Sequence, residues 1–316
     1  MRTRKGWRIA SHTSVLLALS TAMATASTTT VVFDQPLESG ISTGLWVAPA
    51  THMGVPKGTF QLVLWQSDHY TSNGLPVPTA WDAGSQTGFT PSSPSTAQLG
   101  FQNKPGTSTA QMEGAVVGAY LNSRDMPTSL TSQKMMITPE YRFAAGSMPV
   151  PFASSTSILA SSMELQIPVA VGKQTYVNAD LLFVGPNGEH VSYGIKLFHN
   201  GVNSATTSTG YDVPTNGYIL DAPLGSNQQF VTKASTSASS TGTPWSGWQH
   251  FEWSISQTQF VAALHQLAAT YPGKVQSTDP TQYVLTEVHL NAEMHFLSSP
   301  AELGWSMKDW KLWITG

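Results

Sequence analysis

Alternation of apolar and polar residues is clearest in residues 283–296, which read YVLTEVHLNAEMHF. Successive side chains of a β-strand point to opposite sides of the sheet, so a strand with one buried face alternates in this way. The apolar positions predict a core face made of Val284, Val288, Leu290, Ala292, Met294 and Phe296. The opposite face carries five polar side chains: Glu287, His289, Asn291, Glu293 and His295. Such a face either meets water or lines a groove.

Similar alternation predicts further β-strands, of which the clearest are residues 159–167, 176–184, 190–198 and 246–255. The dipeptide Asn187-Gly188 lies between the second and third of these. Because Asn-Gly favours a tight hairpin turn, those two strands are predicted to be antiparallel neighbours. The polar faces of these segments add candidates for a functional site, namely Glu164, Asn178, Asp180, Trp248 and Glu252.

One α-helix is predicted at residues 257–270, where apolar residues repeat at helical spacing. Ser256 followed three residues later by Gln259 forms a capping-box pattern at its start, and Pro272-Gly273 ends it. Many strands and a single late helix predict an all-β fold, a two-sheet antiparallel jelly-roll sandwich. We expect one domain over residues 27–316, with long polar loops near residues 71–110 and 203–243, the second interrupted by the more apolar residues 217–223 (GYILDAP).

Composition narrows the class of protein further. Charged residues make up 10% of the chain, against roughly 25% in typical soluble proteins, and the formal net charge is −3. A mildly acidic chain without basic runs does not favour nucleic-acid binding. The chain has no cysteine, which excludes disulfides and thiolate chemistry. Stability is therefore expected to come from burial of apolar surface.

The N-terminal residues 1–26 have the pattern of an export signal. Four basic residues precede a short apolar core at residues 14–20, and Ala24-Thr25-Ala26 matches a cleavage site. We expect a mature chain from about Ser27 and a secreted or periplasmic location. No segment has the ~20 apolar residues that a membrane-spanning helix needs.

Carboxylates on the polar face of residues 283–296 are followed by three aromatic residues, Trp305, Trp310 and Trp313. Acids beside large aromatic surfaces point to a sugar ligand. A metal site built from Glu287, His289, Glu293 and His295 is the other chemical interpretation. Alternate residues on a strand lie ~6.8 Å apart, which suits poorly the ~2.1 Å bonds of zinc. We therefore expect no metal and no cofactor.

The C-terminal part of the chain, residues 257–315, resembles the end of glycoside hydrolase family 12, a group of jelly-roll β-glucanases with a concanavalin A-like fold. In that family a helix precedes a strand of the type YxLxxxxxGTE, and a final strand follows. The resemblance implies that Glu293 is the general acid/base. In this chain Asn291-Ala292 stands where the family has Gly-Thr.

The family's nucleophile is a Glu in a strand reading like YExMIWL, and residues 176–184 (YVNADLLFV) are the nearest counterpart here. That segment contains Asn178 and Asp180 but no Glu. Three alternatives stay open: Asp180 is the nucleophile, Glu164 from a neighbouring strand is the nucleophile, or the protein has none.

These observations predict a secreted glycoside hydrolase, similar to an endo-β-glucanase, that acts on a β-linked polysaccharide through paired carboxylates. The candidate catalytic residues are Glu293, Asp180 and Glu164. The candidate substrate-binding residues are Glu287, His289, Asn291, His295, Asn178, Trp248 and Glu252. The alternative is a non-catalytic, lectin-like glycan-binding protein or an extracellular structural protein on the same jelly-roll frame. Either way we expect a monomer whose partner is a polysaccharide or oligosaccharide, neither nucleic acid nor membrane.

Overall fold

The computed structural model describes residues 28–34, 47–50, 58–64, 101–102, 109–113, 116–123, 134–200, 205–212, 216–225, 228–295 and 299–316. The predicted export signal at 1–26 and most of the loop predicted at 71–110 lie outside these ranges. No helix in the described ranges combines the length and the apolar character needed to cross a membrane.

The described residues form strands numbered here along the chain: β1 (Thr29–Asp34), β2 (Val47–Ala50), β3 (Gly58–Leu64), β4 (Phe101–Gln102), β5 (Thr109–Glu113), β6 (Val116–Asn122), β7 (Lys134–Phe143), β8 (Ile158–Val171), β9 (Gln174–Val184), β10 (His190–His199), β11 (Ser208–Asp212), β12 (Gly217–Pro223), β13 (Thr232–Lys233), β14 (Trp245–Ser256), β15 (Val284–His295) and β16 (Glu302–Thr315). They build two sheets. Sheet A has the order β13-β14-β8-β16-β6-β5-β4, with β1 also on β16. Sheet B has the order β11-β12-β10-β9-β15-β7-β3-β2.

The two sheets confirm the predicted all-β jelly-roll sandwich. Their pairings are antiparallel except for β10 with β12, which run parallel. The sequence did not predict that exception. After β10 the chain forms β11, which is the edge strand of sheet B. The next strand, β12, is antiparallel to β11 and lies between β11 and β10, so that β12 runs parallel to β10.

The core lies between the sheets. Phe33 of sheet A has its ring centroid 5.0 Å from Tyr141 of sheet B and 5.3 Å from Trp310 of sheet A. Alternate residues of β9, such as Ala179 and Leu181, are fully buried on this inner side. Since side chains alternate along a strand, the polar residues between them point away from the core. The outer faces of the two sheets are therefore on opposite sides of the sandwich.

The predicted helix is confirmed as α1 (Gln257–Thr270), the one α-helix of the described ranges. Ser256 Oγ accepts from the Gln259 backbone, and the Gln259 side chain accepts from the Ser256 backbone, so the capping box forms as predicted. Phe260 of α1 stacks on Phe152 at 4.5 Å and packs on Phe183 at 4.7 Å. These contacts fix the helix to sheet B through its aromatic residues.

Two details of the predictions are corrected. A bulge between Leu285 and Glu287 changes the phase of β15, so Leu285 is fully buried and Val284 only partly, the reverse of the expected pattern. Phe296 lies outside the described residues. The range 203–243 is not a long loop, because β11, β12 and β13 form there. The hydrogen bonds offered by sheet edges organise these polar segments.

Candidate active site on the outer face of sheet B

Sheet B presents three neighbouring rows of polar side chains on its outer face. The first, which we call the carboxylate row, crosses β7, β15, β9 and β12 and consists of Glu140, His289, Asp180 and Asp221. The second, the amide row, consists of Thr138, Asn291, Asn178 and Lys196. The third contains Glu293, Tyr176 and His199. Successive rows are two residues apart, or ~6.8 Å along a strand.

Two carboxyl groups of the first row meet above Gly194. This residue of β10 is paired with Asp180 on one side and with Asp221 on the other. A Cβ atom on Gly194 would overlap Asp221 Oδ1 and would lie 2.7 Å from Asp180 Oδ1. Because glycine has no side chain, the two acids can lean over β10 toward each other. A strand of ordinary residues would keep them apart.

The environment of this pair shifts the pKa of Asp221. Burial, together with the negative charge of Asp180, raises the pKa of Asp221 to about 7, while Lys196 opposes the shift. Lys196 is itself 1% exposed, and its Nζ donates to Thr206 O at 2.9 Å. Burial lowers the pKa of Lys196 and Asp221 opposes that change. Near neutral pH the pair can therefore hold a proton on Asp221.

An ion-pair chain supports Asp180 from the other side. His289 lies between two acids, with Nε2 3.2 Å from Asp180 Oδ2 and Nδ1 2.8 Å from Glu287 Oε1. Arg142 continues the chain, since its Nε is 2.9 Å from Glu287 Oε2 and its Nη2 is 2.8 Å from Glu140 Oε1. The side chain of Arg142 is half exposed, whereas the side chains of the four other members are at most 11% exposed. This row of ion pairs thus runs from Arg142 at the surface to Asp180 in the site.

The pKa values of this chain follow from its geometry. Burial alone would lower the pKa of His289, but hydrogen bonds and charges from Asp180 and Glu287 raise it to about 10. Burial alone would raise the pKa of Glu287, yet His289 and Arg142 lower it below its usual range. Burial, with the charge of Glu287, raises the pKa of Glu140 to about 8. His289 is therefore a cation at neutral pH.

Three members of these ion pairs form the one group in the described ranges whose ligand atoms are close enough to one another to hold a metal ion. Ligand atoms of Glu140, Glu287 and His289 all lie within 4.8 Å of one another. However, the Arg142 guanidinium already joins the two glutamates. A divalent ion there would meet a fixed positive charge on each side, because His289 is protonated as well. This arrangement does not favour a metal.

Glu293, the acid singled out from the sequence, is held by its own partners. The Tyr176 hydroxyl donates to Glu293 Oε2, and His295 Nε2 lies 2.7 Å from Glu293 Oε1. Tyr176 stacks on His199 with centroids 5.4 Å apart. Burial and the charge of Glu293 raise the pKa of Tyr176 well above its usual value. Glu293 is 2% exposed and lies four residues, or two rows, beyond His289.

Three predicted site residues lie on the other sheet. Glu164 belongs to β8 and Trp248 and Glu252 to β14, so they are on the outer face of sheet A. There His250 Nδ1 is 3.0 Å from Glu164 Oε1, and its Nε2 is 3.5 Å from Glu252 Oε2. The core separates these acids from Asp180 and Glu293. Glu164 cannot act with Glu293 on one bond, since packed sheets alone are ~10 Å apart.

The predicted aromatic platform is also corrected. Trp305 and Trp310 are fully buried in the core, and Trp310 Nε1 donates to Ser161 Oγ at 3.0 Å. A bulge between Lys308 and Lys311 shifts the alternation of β16, which places Trp313 on the other face. The other predicted site residues lie together on sheet B, and none of these three tryptophans is beside them: Asp180, Glu287, His289, Asn178, Asn291, Glu293 and His295.

Sequence reasoning missed Glu140 and Asp221 of the carboxylate row, Lys196 of the amide row, and Arg142, which pairs with Glu140. One signal was available for Asp221. Residues 217–223 interrupt the loop predicted at 203–243, and alternation in GYILDAP sets Asp221 on the face opposite Tyr218, Leu220 and Ala222. Nothing in the sequence indicated that this strand would neighbour β10.

Comparisons with known proteins find a weak likeness to solved structures. No protein-family model matches the chain, and no curated protein matches it. Among solved structures, the xyloglucanase domain of NopAA, a type three effector from Sinorhizobium fredii in complex with cellobiose, is 10% identical, with 68% of this chain and 90% of that chain covered and a TM-score of 0.36.

Two further structures are similar at the same level. Endoglucanase cel12A from Rhodothermus marinus is 12% identical, covering 65% of this chain and 90% of that chain, with a TM-score of 0.29. A structure from a comparison of family 12 glycoside hydrolases is 12% identical, covering 66% and 86%, with a TM-score of 0.34. The chain thus weakly resembles jelly-roll glycoside hydrolases of family 12, and at these identities and TM-scores no residue role is transferred from them.

Proposed function

We propose that the protein is a glycoside hydrolase that acts on a β-linked polysaccharide through Asp180 and Asp221. The observation that carries this proposal is the approach of the two carboxyl groups over Gly194. Both Oδ1 atoms lie within 2.7 Å of the position that a Cβ would occupy. The two Oδ1 atoms are therefore closer to each other than twice that distance, which is below the ~6.5–9.5 Å of inverting glycosidases and nearer to the ~5–5.5 Å of retaining ones.

The environments of the two acids favour different roles. Asp221, whose pKa is raised to about 7, is suited to donate its proton to the departing sugar oxygen. Asp180, beside the His289 cation, is suited to attack the anomeric carbon as the carboxylate. The glycosidic bond breaks as the Asp180 ester forms. Asp221, now deprotonated, then takes a proton from the water that hydrolyses the ester and returns to its starting state.

This proposal moves proton donation from Glu293 to Asp221. The Glu293 carboxylate is bound by Tyr176 and His295 and lies two rows from the Asp180–His289 pair. Its negative charge nevertheless contributes to the raised pKa of Asp221. In this proposal Glu293 influences the site through its charge, which raises the pKa of Asp221, and it does not donate a proton to the cleaved bond.

The test is release of reducing ends from soluble β-glucans and xylans by the wild type, Asp221→Asn and Asp180→Asn. Each substitution keeps the shape of the side chain and should lower turnover by ~10²–10⁴-fold, the usual size of positioned acid–base catalysis. Glu164→Gln, on the opposite outer face, is the matched control and should keep wild-type turnover. Equal turnover in all four proteins would remove Asp180 and Asp221 from the mechanism.

A second candidate function is glycan binding without hydrolysis. It is favoured by the burial of the carboxylates, since Asp180 is 4% and Glu293 2% exposed, whereas a hydrolase must admit water to its nucleophile. Retained affinity for oligosaccharides with no release of reducing ends would select this function. In either case, the signal pattern at residues 1–26 supports an extracellular location, which N-terminal sequencing of exported protein tests by a start near Ser27.

A further inference from the structure

Three side-chain oxygens of the amide row are buried without a hydrogen-bond partner. They are Thr138 Oγ1, Asn291 Oδ1 and Asn178 Oδ1, and none of them forms a hydrogen bond within the part of the chain that the structure describes. Thr138 is 0% and Asn178 3% exposed. The register places the three side by side on β7, β15 and β9. Asn291 pairs with Asn178 of β9. On its other side Asn291 is opposite Thr138 of β7, because His289 pairs with Glu140 and Ala292 with Ile137.

Such a concentration of unpartnered oxygens is unusual. More than about 90% of buried polar groups are hydrogen-bonded in folded proteins, and an unpaired one costs ~1–3 kcal/mol. Three in one row of a sheet are therefore acceptors with which a molecule outside the chain can pair. Departures of this kind are expected at functional sites, where a bound ligand can supply the missing partners.

The chemistry of the row defines what is missing. Two of the three atoms are amide oxygens, which only accept hydrogen bonds, so the ligand must present donors. The row carries no negative side chain, and its one cation, Lys196, already donates to Thr206 O at 2.9 Å. A neutral ligand with several hydroxyl groups fits these acceptors better than an ion. Strand spacing sets the outer two residues ~9.6 Å apart, which spans more than one hydroxyl of a sugar ring.

We propose that Thr138, Asn291 and Asn178 form a sugar subsite that accepts hydrogen bonds from ring hydroxyls of a neutral glycan. The subsite adjoins the Asp180–Asp221 pair, one row away on the same face. The choice of a sugar as the ligand rests on the proposed function. The assignment adds which part of the outer face of sheet B binds that sugar. It concerns binding, and it does not require that the bound sugar is hydrolysed.

The test exploits opposite effects on stability and affinity. Thr138→Val and Asn178→Leu remove unpartnered polar atoms with little change in volume. In the free protein the midpoint of urea unfolding should stay unchanged or rise, because an unpaired buried group has been removed. Affinity for cellotetraose or xylotetraose, measured by calorimetry in an Asp221→Asn background, should fall about threefold to tenfold for each variant, the value of one neutral hydrogen bond.

Thr286→Val is the matched control on the same sheet. The Thr286 hydroxyl already donates to Leu182 O at 3.0 Å, so its removal should lower the unfolding midpoint and leave the affinity unchanged. Lower stability of Thr138→Val and Asn178→Leu with unchanged affinity would overturn the proposal, as would absence of affinity for both oligosaccharides in the parent. Hydrolysis is measured separately. If Asp221→Asn keeps full turnover while the row variants lose affinity, the subsite stands and the catalytic assignment falls.

Discussion

Two histidines of this protein lie between two carboxylates, and they lie on opposite outer faces of the sandwich. On sheet B, His289 is 2.8 Å from Glu287 and 3.2 Å from Asp180. On sheet A, His250 is 3.0 Å from Glu164 and 3.5 Å from Glu252. The side chain of His289 is 11% exposed and that of His250 is 44% exposed.

The difference in burial gives similar contacts different consequences. Water screens the exposed cluster, where ion pairs are usually worth under about 1 kcal/mol. In the buried cluster water does not screen the hydrogen bonds and charges of Asp180 and Glu287. These contacts raise the pKa of His289 to about 10, although burial alone would lower it. A charge cluster of this kind is a candidate for function, whereas the cluster on sheet A has the character of a solvated surface. The following predictions test that contrast.

The largest expected effect is on stability. Substitution His289→Leu leaves Glu287 and Asp180 without their shared cation and should lower the free energy of unfolding by ~3–5 kcal/mol, as for other buried ion pairs that lose one partner. His250→Leu is the matched variant and should cost under about 1 kcal/mol. Urea unfolding at pH 7 measures both. Equal losses would show that burial does not separate the two clusters.

Two glycines extend the comparison to packing. In Gly194→Ala the new Cβ would push apart the ends of the Asp180 and Asp221 side chains, and misplacement of reacting groups by about 1 Å can cost ~10²-fold in rate. In Gly118→Ala on sheet A, the Cβ would lie 2.8 Å from the Trp305 backbone oxygen, which cannot move away easily. That variant should lose ~1–3 kcal/mol of stability and keep its activity per folded molecule. Reducing-end assays with urea unfolding separate the two outcomes.

A smaller, pH-dependent effect is expected for Asp221. Its pKa is raised from 3.8 to about 7, so the folded state binds this proton more tightly than the unfolded state does. The stability that the proton contributes is fully present below the unfolded pKa and is lost as pH rises through the folded pKa. The wild type should therefore lose stability between pH 4 and pH 8 relative to Asp221→Asn. Parallel stability–pH curves for the two proteins would contradict this expectation.

The smallest effect concerns salt. Glu164→Gln removes one exposed partner of His250 and should change the free energy of unfolding by under about 0.5 kcal/mol. Any difference should vanish in 1 M NaCl, where screening acts over ~3 Å. Glu287→Gln, in the buried cluster, should keep its larger cost at the same salt concentration. Denaturation at low and high salt compares them directly.

The sequence by itself determined the local features of this protein. Alternation identified β9 and β15. It predicted that Asn178 and Asp180 share one face of β9 and that Glu287, His289 and Glu293 share one face of β15. The capping box and helical spacing located α1. These predictions succeed because side-chain direction, capping and turn preference depend on residues close together in the chain.

Only the tertiary structure decided which of those faces meet. A period of two assigns a side chain to one face of a strand but does not identify the sheet that contains the strand, so Glu164 and Asp180 look equivalent until the sheets are assembled. The pairing of β12 with β10 joins residues remote in the sequence and brings Asp221 to Asp180 across Gly194. Burial then follows from that assembly. It raises the pKa of Asp221 directly, and by excluding water it leaves Asp180 and Glu287 unscreened, so that these acids raise the pKa of His289.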